Sequence, residues 1–161
     1  MVLDAGAGEA RFRSFFPNCR YIALDSGVGD EDWDYTQVDV HGDLSIIPTA
    51  SEIADIVLNV QVLEHVPQPD RVLAELCRVL KPGGSLFLTA PQGWHEHQQP
   101  HDYYRFTRFA QLRLLDDAGF DSIQIEPMGG YFHYLSQRLT YIPKDIFSER
   151  KAWLRCLLLP F

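Results

Sequence analysis

Val2-Leu3-Asp4-Ala5-Gly6-Ala7-Gly8-Glu9-Ala10 opens the chain, and its reading decides the fold. A short apolar run meets an acidic residue, then a loop with two glycines, then a helix-like start. This is the form of the first turn in a doubly wound α/β sheet, where a nucleotide sits beyond the carboxyl ends of the strands. Glycines at 6 and 8 let backbone approach a ligand with no Cβ in the way. Two glycines are a weak signal by themselves, so the remaining chain must supply both the sheet and the residues that choose the ligand.

It supplies the sheet. Tyr21 to Asp25 is a buried-strand run ending in a carboxylate. Tyr35 to Val40, Ala54 to Val60, Ser85 to Ala90 and Ser122 to Glu126 read as further strands, dense in β-branched and aromatic residues. Between them lie helical patterns. Glu9 to Phe16 offers Ala10, Phe12 and Phe15/Phe16 as an apolar face before Pro17. Asp70 to Leu80 is the clearest helix, with Asp70 as its cap, Val72, Leu73, Leu76, Val79 and Leu80 on one stripe, and Lys81-Pro82-Gly83-Gly84 as its stop. Thr107 caps a second clear helix, with Phe109, Leu112, Leu115 and Ala118 on one face and Gly119 closing it. The alternation predicts an α/β fold with a mostly parallel sheet and helices on both faces.

The long connection from Gln92 to Phe106 reads as a lid or binding loop. Beyond Gly130, Tyr131 to Leu135 suits strand or helix, and Ser148 to Leu159 has helical spacing. Residues 1–130 are therefore expected to form the ligand-binding domain, and 131–161 a basic, aromatic, helical extension packed on it.

Composition narrows the classes. The 161 residues are 46% hydrophobic and 22% charged, with a formal net charge of −8. This is one globular domain with a real core. An acidic chain repels phosphate backbones, so no nucleic-acid partner is expected. Cys19, Cys77 and Cys156, odd in number and widely spaced, fit reduced thiols in a cytoplasmic protein. No signal peptide precedes the first strand, and no apolar run approaches the ~20 residues of a membrane span. The tail after Tyr131 is basic, with Arg138, Lys144, Arg150, Lys151 and Arg155 against Asp145 and Glu149. Besides a packed helix pair, such a tail suits peripheral contact with a membrane surface.

Three observations choose the nucleotide. A dinucleotide loop wants a small third residue in Gly-x-Gly-x-x-Gly/Ala, and Arg11 stands there. Asp4, at the mouth of the loop, is badly placed beside a pyrophosphate and well placed near a cation. Asp25 ends the second strand, where a carboxylate can accept both hydroxyl protons of a ribose. A ligand with a ribose, no phosphate and a positive amino-acid end is S-adenosylmethionine. A turn role for Asp4 and a cap role for Asp25 are the plain alternatives.

Five stretches, in this order and spacing, resemble the class I S-adenosylmethionine-dependent methyltransferases, in the small-molecule (type 11-like) branch that includes quinone-biosynthesis enzymes. They are Val2 to Gly8, Ala23-Leu24-Asp25, Asp43-Leu44 with Pro48, Val62-Leu63-Glu64-His65-Val66, and Arg78-Val79-Leu80-Lys81-Pro82-Gly83-Gly84. The resemblance spans about Val2 to Glu126. It implies a Rossmann-like sheet and S-adenosyl-L-methionine as cofactor. It further implies that Asp4, Ala5, Gly6 and Gly8 line the methionine end, and that Asp25 binds the ribose with Ser26 beside it. Asp43 and Leu44 would flank the adenine, while Asn59, Val60 and Gln61 would border the sulfonium and the substrate. Glu64-His65 and Lys81 to Gly84 are read as structural marks. Family members carry one or two helices before the first strand and a seventh strand after the sixth. Neither is placed here, so an N-terminally truncated fold is expected.

Methyl transfer from a sulfonium is an in-line displacement, which needs a positioned nucleophile and, for oxygen or nitrogen acceptors, often a base. The Gln92 to Phe106 loop supplies the candidates: His95 and His101 as base, and Tyr103 beside them. Packing of the loop onto the sheet is the plain reading of Tyr103, Tyr104 and Phe106. The run Pro100-His101-Asp102-Tyr103-Tyr104-Arg105-Phe106-Thr107 resembles one in methyltransferases of cell-surface glycan pathways. His95, His97 and His101 could gather round a cation with a nearby carboxylate, but polar loop chemistry is the preferred reading and no metal is expected. The expected function is methylation of a small molecule, glycan- or lipid-linked in one version. The competing readings are a non-catalytic binding or assembly module and, more weakly, an NAD-dependent oxidoreductase.

Overall fold

The computed structural model describes residues 1–29 and 32–146, so the helical spacing noted over Ser148 to Leu159 lies outside the described residues. The chain divides into two compact units, Met1–Ile123 and a second from Gln124 onward.

The first unit is built on a five-stranded, wholly parallel sheet. Its strands are β1 (Val2–Ala5), β2 (Tyr21–Asp25), β3 (Val40–His41), β4 (Ala54–Val60) and β5 (Leu80–Thr89). The order is β3-β2-β1-β4-β5. β1 is central and buried at every position, which is why it reads as an unbroken apolar run rather than an alternating one. It pairs with β2 through Val2↔Tyr21 and with β4 through Val2↔Ile56. The order of strands reverses at β1, and at such a switch point the strand ends leave a crevice. The parallel sheet with its helices is the α/β architecture expected.

Helix α1 (Pro69–Val79) buries Val72, Leu73, Leu76 and Val79. Each such aliphatic side chain is worth about 1.5–3 kcal/mol when removed from water. Pro69 occupies the first turn, where its missing N–H costs nothing. The cap position is Gln68, not Asp70. Asp70 sits inside the first turn and favours the helix by its charge at the positive end of the dipole. The chain then enters β5 at Leu80, opposite Ala54. The next pair is Ile56↔Ser85, so Lys81 to Gly84 bulges out of the ladder. Lys81 Nζ donates to Asp55 across the bulge at 2.8 Å. Helix α2 (Arg108–Asp117) starts as expected, with Thr107 Oγ1 accepting from the Ala110 N–H.

Four further expectations are corrected. Glu9 to Phe16 is not a helix but a run of turns with one 3₁₀ turn, Arg13–Phe15. Ala10 takes φ +52°, which breaks any helix there, and so short a segment cannot meet the nucleation cost. Ala10, Phe12 and Phe16 still pack against Val2, Tyr21, Ala23 and Leu58. The third strand shrinks to Val40–His41 because Asp34 captures the Thr36 N–H and folds Tyr35–Gln37 into a 3₁₀ turn. Ser122 to Glu126 forms no strand among the described residues. Ser122 takes φ +52°, and the first unit ends at Ile123. Of the apolar face expected on α2, only Leu115 is buried, while Phe109 is 67% exposed.

The second unit contributes helix α3 (Tyr131–Ile146), which settles Tyr131 to Leu135 as helix. No helix among the described residues is long and apolar enough to cross a membrane.

Candidate active site

The site grows from the carboxyl ends of β1, β2 and β4. The turn after β1 needs its glycines for reasons of local packing. Gly6 holds φ +85°, and a Cβ there would lie 2.4 Å from Val62 Cγ2. Gly8 holds φ +51°, and its Cβ would lie 3.0 Å from the Trp33 ring. Both glycines thus make room for side chains of this chain itself.

Asp25 organises this turn. It is only 8% exposed. Its Oδ2 accepts the Gly8 N–H and its Oδ1 the Gly27 N–H, both at 2.8 Å. One carboxylate therefore ties the loop after β1 to the loop after β2. Each oxygen retains a lone pair, so the brace is already formed and still has acceptor capacity. Ser26, beside it, is exposed and receives the Val28 N–H at 3.3 Å.

Asp4 faces inward. It is 1% exposed, and the Tyr21 hydroxyl donates to it. Burial pushes its carboxyl up to about 6 against the effect of that hydrogen bond, with Asp25 adding to the rise. Ala5 is wholly buried, and its carbonyl accepts from Asn59 Nδ2 at 2.8 Å. Asn59 is likewise fully buried; its Oδ1 receives no hydrogen bond. The pair locks β4 to β1 at the switch point. Val60 lies in an apolar cleft of about 420 Å³ with Phe12, Phe15, Phe16, Ile56, Leu58 and Phe87. Gln61 is exposed at φ +55° and donates to Thr89 Oγ1 at 3.1 Å. Asp43 is exposed and accepts the Ser45 N–H, while Leu44 is buried beside it.

The expected lid is irregular from Gln92 to Phe106, and it is pinned down. Tyr103 and Tyr104 donate their N–H groups to the Glu64 carbonyl at 2.8 and 3.2 Å. The Tyr104 hydroxyl reaches the Pro67 carbonyl at 3.1 Å. Arg105 grips Asp102 with two bonds of 2.7 and 2.8 Å, and donates to the carbonyls of Trp94, His95 and Tyr104. That guanidinium holds the Asp102 carboxyl well below the usual range. The reading of Glu64-His65 as a brace for the loop thus has a geometric basis in the Glu64 main chain.

The lid histidines divide. His101 Nδ1 lies 3.2 Å from the Tyr103 hydroxyl. His95 stacks near Trp94, with ring centroids 4.9 Å apart. His97 instead meets the 3₁₀ turn Leu63–His65, with its ring 4.7 Å from that of His65. Glu64 is fully buried, neither of its carboxyl oxygens accepts a hydrogen bond, and burial pushes its carboxyl up to about 7. Burial lowers the His65 imidazole. Sequence reasoning did not bring Glu64, His65 and His97 together, because two of them sit in a family mark and the third in the lid. The available signal was an acidic residue and a histidine side by side after β4, facing a histidine-rich loop.

A parallel sheet ordered 3-2-1-4-5, with a glycine turn after the first strand and an acid ending the second, defines a nucleotide-cofactor fold of Rossmann-like type. Comparison with known proteins makes the class specific. Residues 3–88 match the family model described as a methyltransferase domain. A probable S-adenosylmethionine-dependent methyltransferase of Mycolicibacterium smegmatis is 31% identical, over 82% of this chain and 55% of that protein. A ubiquinone biosynthesis O-methyltransferase of Nitrosococcus oceani is 31% identical, over 79% of this chain and 57% of that protein. Among solved structures, a SAM-dependent methyltransferase from Archaeoglobus fulgidus superposes with a TM-score of 0.65 at 18% identity, covering 80% of this chain and 64% of that one. The chain belongs to the class I S-adenosylmethionine-dependent methyltransferase family. It spans just over half the length of the curated relatives it matches.

Proposed function

We propose that this chain carries the S-adenosyl-L-methionine site of a methyltransferase that acts on a small molecule. The observation that carries the reading is Asp25. It is buried, pinned by two loop N–H groups and still able to accept from two vicinal hydroxyls. The cofactor would supply an electrophilic methyl group on a sulfonium. Asp25 would hold its ribose with Ser26 alongside, and Ala5, Gly6 and Gly8 would give the backbone wall of the amino-acid end. Asp43 and Leu44 would flank the adenine. Asp4 acts one layer back, through Tyr21, by neutralising nothing but shaping the floor beneath that wall.

Residues 1–130 form this domain in our reading, and 131–161 an appended basic extension. Asn59 and Val60 support the floor at the end of β4, and Gln61 borders the acceptor side. The lid lies on that side, with His95 or His101 accepting the proton of an oxygen or nitrogen acceptor and the Tyr103 hydroxyl positioned by His101. The O-methyltransferase likeness favours a hydroxylated acceptor, and the exposed Tyr131 and Phe132 of α3 favour one that is lipid-linked. Incubation with methyl-labelled S-adenosylmethionine and a panel of phenolic and prenylated phenolic acceptors tests this. Label transfer to one acceptor class, lost in His101→Ala or His95→Ala, is the expected result. Tight cofactor binding with no transfer to any acceptor would instead favour the non-catalytic module.

A further inference from the structure

We propose that Glu64, His65 and His97 form a binding site for a divalent transition-metal cation of the Zn²⁺ or Co²⁺ kind, joining the turn after β4 to the lid. Each residue offers one ligand atom, and the three atoms lie within 4.8 Å of one another. Exposed acids and histidines gather without metals, so the decisive feature is Glu64. It is 0% exposed, and neither oxygen accepts a hydrogen bond from another residue. Buried polar atoms are almost always partnered, and a pair of orphaned carboxyl oxygens aimed at two imidazoles calls for a ligand.

The imidazoles are prepared for that ligand. His65 Nδ1 lies 2.6 Å from the His101 carbonyl and therefore carries the proton that it donates there. This leaves the lone pair on Nε2, which lies 3.8 Å from Glu64 Oε1. A metal-ligating histidine typically has its other N–H held by a carbonyl in this way. His97 is held by its main-chain N–H, which donates to Asp102 Oδ2 at 2.9 Å. The charges nearest the cluster, Arg105 and Asp102, are paired with each other by two hydrogen bonds. The Glu64 carboxylate is therefore left to meet the cation.

Donor chemistry sets the metal. Two nitrogens and one carboxylate suit Zn²⁺, Co²⁺ and their neighbours, whereas Mg²⁺ and Ca²⁺ prefer all-oxygen sets. Ligand bonds of about 2.0–2.2 Å put ligand atoms about 3.4 Å apart in a tetrahedron. Closing the site from its present spread takes a movement of about 1 Å, on the scale set by those bonds, which a turn of the His97 side chain supplies while its main chain stays tied to Asp102. The cation thus adds a link between the turn after β4 and a lid that already lies against it. Three protein ligands leave one position open for water or an oxygen of a bound molecule.

The test uses the metal alone, without S-adenosylmethionine, so its outcome is separate from that of the methyltransferase reading. Chelator-stripped protein is titrated with Co²⁺. The expected result is one equivalent bound with the visible absorption of tetrahedral Co²⁺, displaced by Zn²⁺ and unaffected by excess Mg²⁺. His97→Asn should weaken binding at least about 100-fold, beyond the loss from changing a residue that only holds a ligand in place, and Glu64→Gln should do the same. His133→Asn, on α3, should leave the titration unchanged and so excludes adventitious histidine binding. Circular dichroism checks that each variant is folded. If Glu64→Gln does not fold, the lid variant His97→Asn decides. No tetrahedral spectrum, or a spectrum that His97→Asn leaves at full affinity, overturns the site.

Discussion

Two buried carboxylates face opposite problems in this molecule. Asp25 ends β2 with both oxygens occupied by loop N–H groups, whereas Glu64, after β4, has neither oxygen in a hydrogen bond. Both are nearly or fully shielded from water. The first is a finished brace: its bonds fix two loops before any ligand arrives. The second is an unfinished one, in which desolvation outweighs the charge of nearby Arg105 and the carboxyl rises to about 7. The difference shows that burial alone does not describe a buried acid. What its oxygens accept decides whether it stabilises the fold or waits for a partner.

The comparison can be broken at Asp25. Asp25→Ala leaves the buried Gly8 N–H without its acceptor, at about 1–3 kcal/mol, and removes the bond from the exposed Gly27 N–H, worth about 1 kcal/mol. We expect a loss of about 2–4 kcal/mol in urea unfolding, with the slope unchanged. An effect under about 0.5 kcal/mol, the level of an ordinary surface substitution, would show that the two loops do not depend on the brace.

Asp4 is the intermediate case, with one donor and a carboxyl raised to about 6. A raised folded-state value means that the folded protein holds its proton where the unfolded chain has released it. Glu64, raised to about 7, adds a fall in stability that runs on to about that pH; the Asp4 limb should fall as pH rises from about 4 to about 6, by about 2–3 kcal/mol. Asp4→Asn should flatten that limb of the stability–pH curve, measured by chemical unfolding across this range. A fall between pH 4 and 6 of unchanged size in Asp4→Asn would assign that limb to another group.

The smallest expected effect is at Glu64. Removing its charge by Glu64→Gln replaces an uncompensated buried carboxylate with a neutral amide of similar shape. In metal-free protein at pH 8 we expect a gain of about 1 kcal/mol, opposite in sign to the Asp25 result. A loss as large as that at Asp25 would mean that Glu64 is a brace like the other.

How much of this was legible differs by region. β1, β2, β4 and α1 were readable because buried parallel strands are continuous apolar runs and α1 carries a four-residue stripe. Glu9 to Phe16 was not, since its aromatic spacing suits a helix and nothing local announces the positive φ at Ala10. Asp34, whose side chain folds the start of the would-be third strand into a turn, looks like any loop acid until Thr36 is seen to donate to it. At the site, Asp25 was singled out from its place at a strand end, but its bonds to Gly8 and Gly27 depend on how two loops meet. The sequence suggests that Gly6 makes room for a ligand, whereas the side chain a Cβ there would meet is Val62. The Glu64, His65 and His97 cluster required the lid to fold back over the turn after β4, a contact that no spacing in the chain encodes.

The central claim is that the crevice beside Asp25 holds S-adenosylmethionine. Calorimetry with its demethylated product, S-adenosylhomocysteine, tests this most directly, comparing the wild-type chain with Asp25→Ala and with Asp25→Asn as a second variant of the same shape. The account predicts one site per chain, and an affinity lower by about 10- to 100-fold in the variants, as for the loss of charge-assisted hydrogen bonds. Absence of binding to the wild-type chain, or equal affinity in all three proteins, would contradict it.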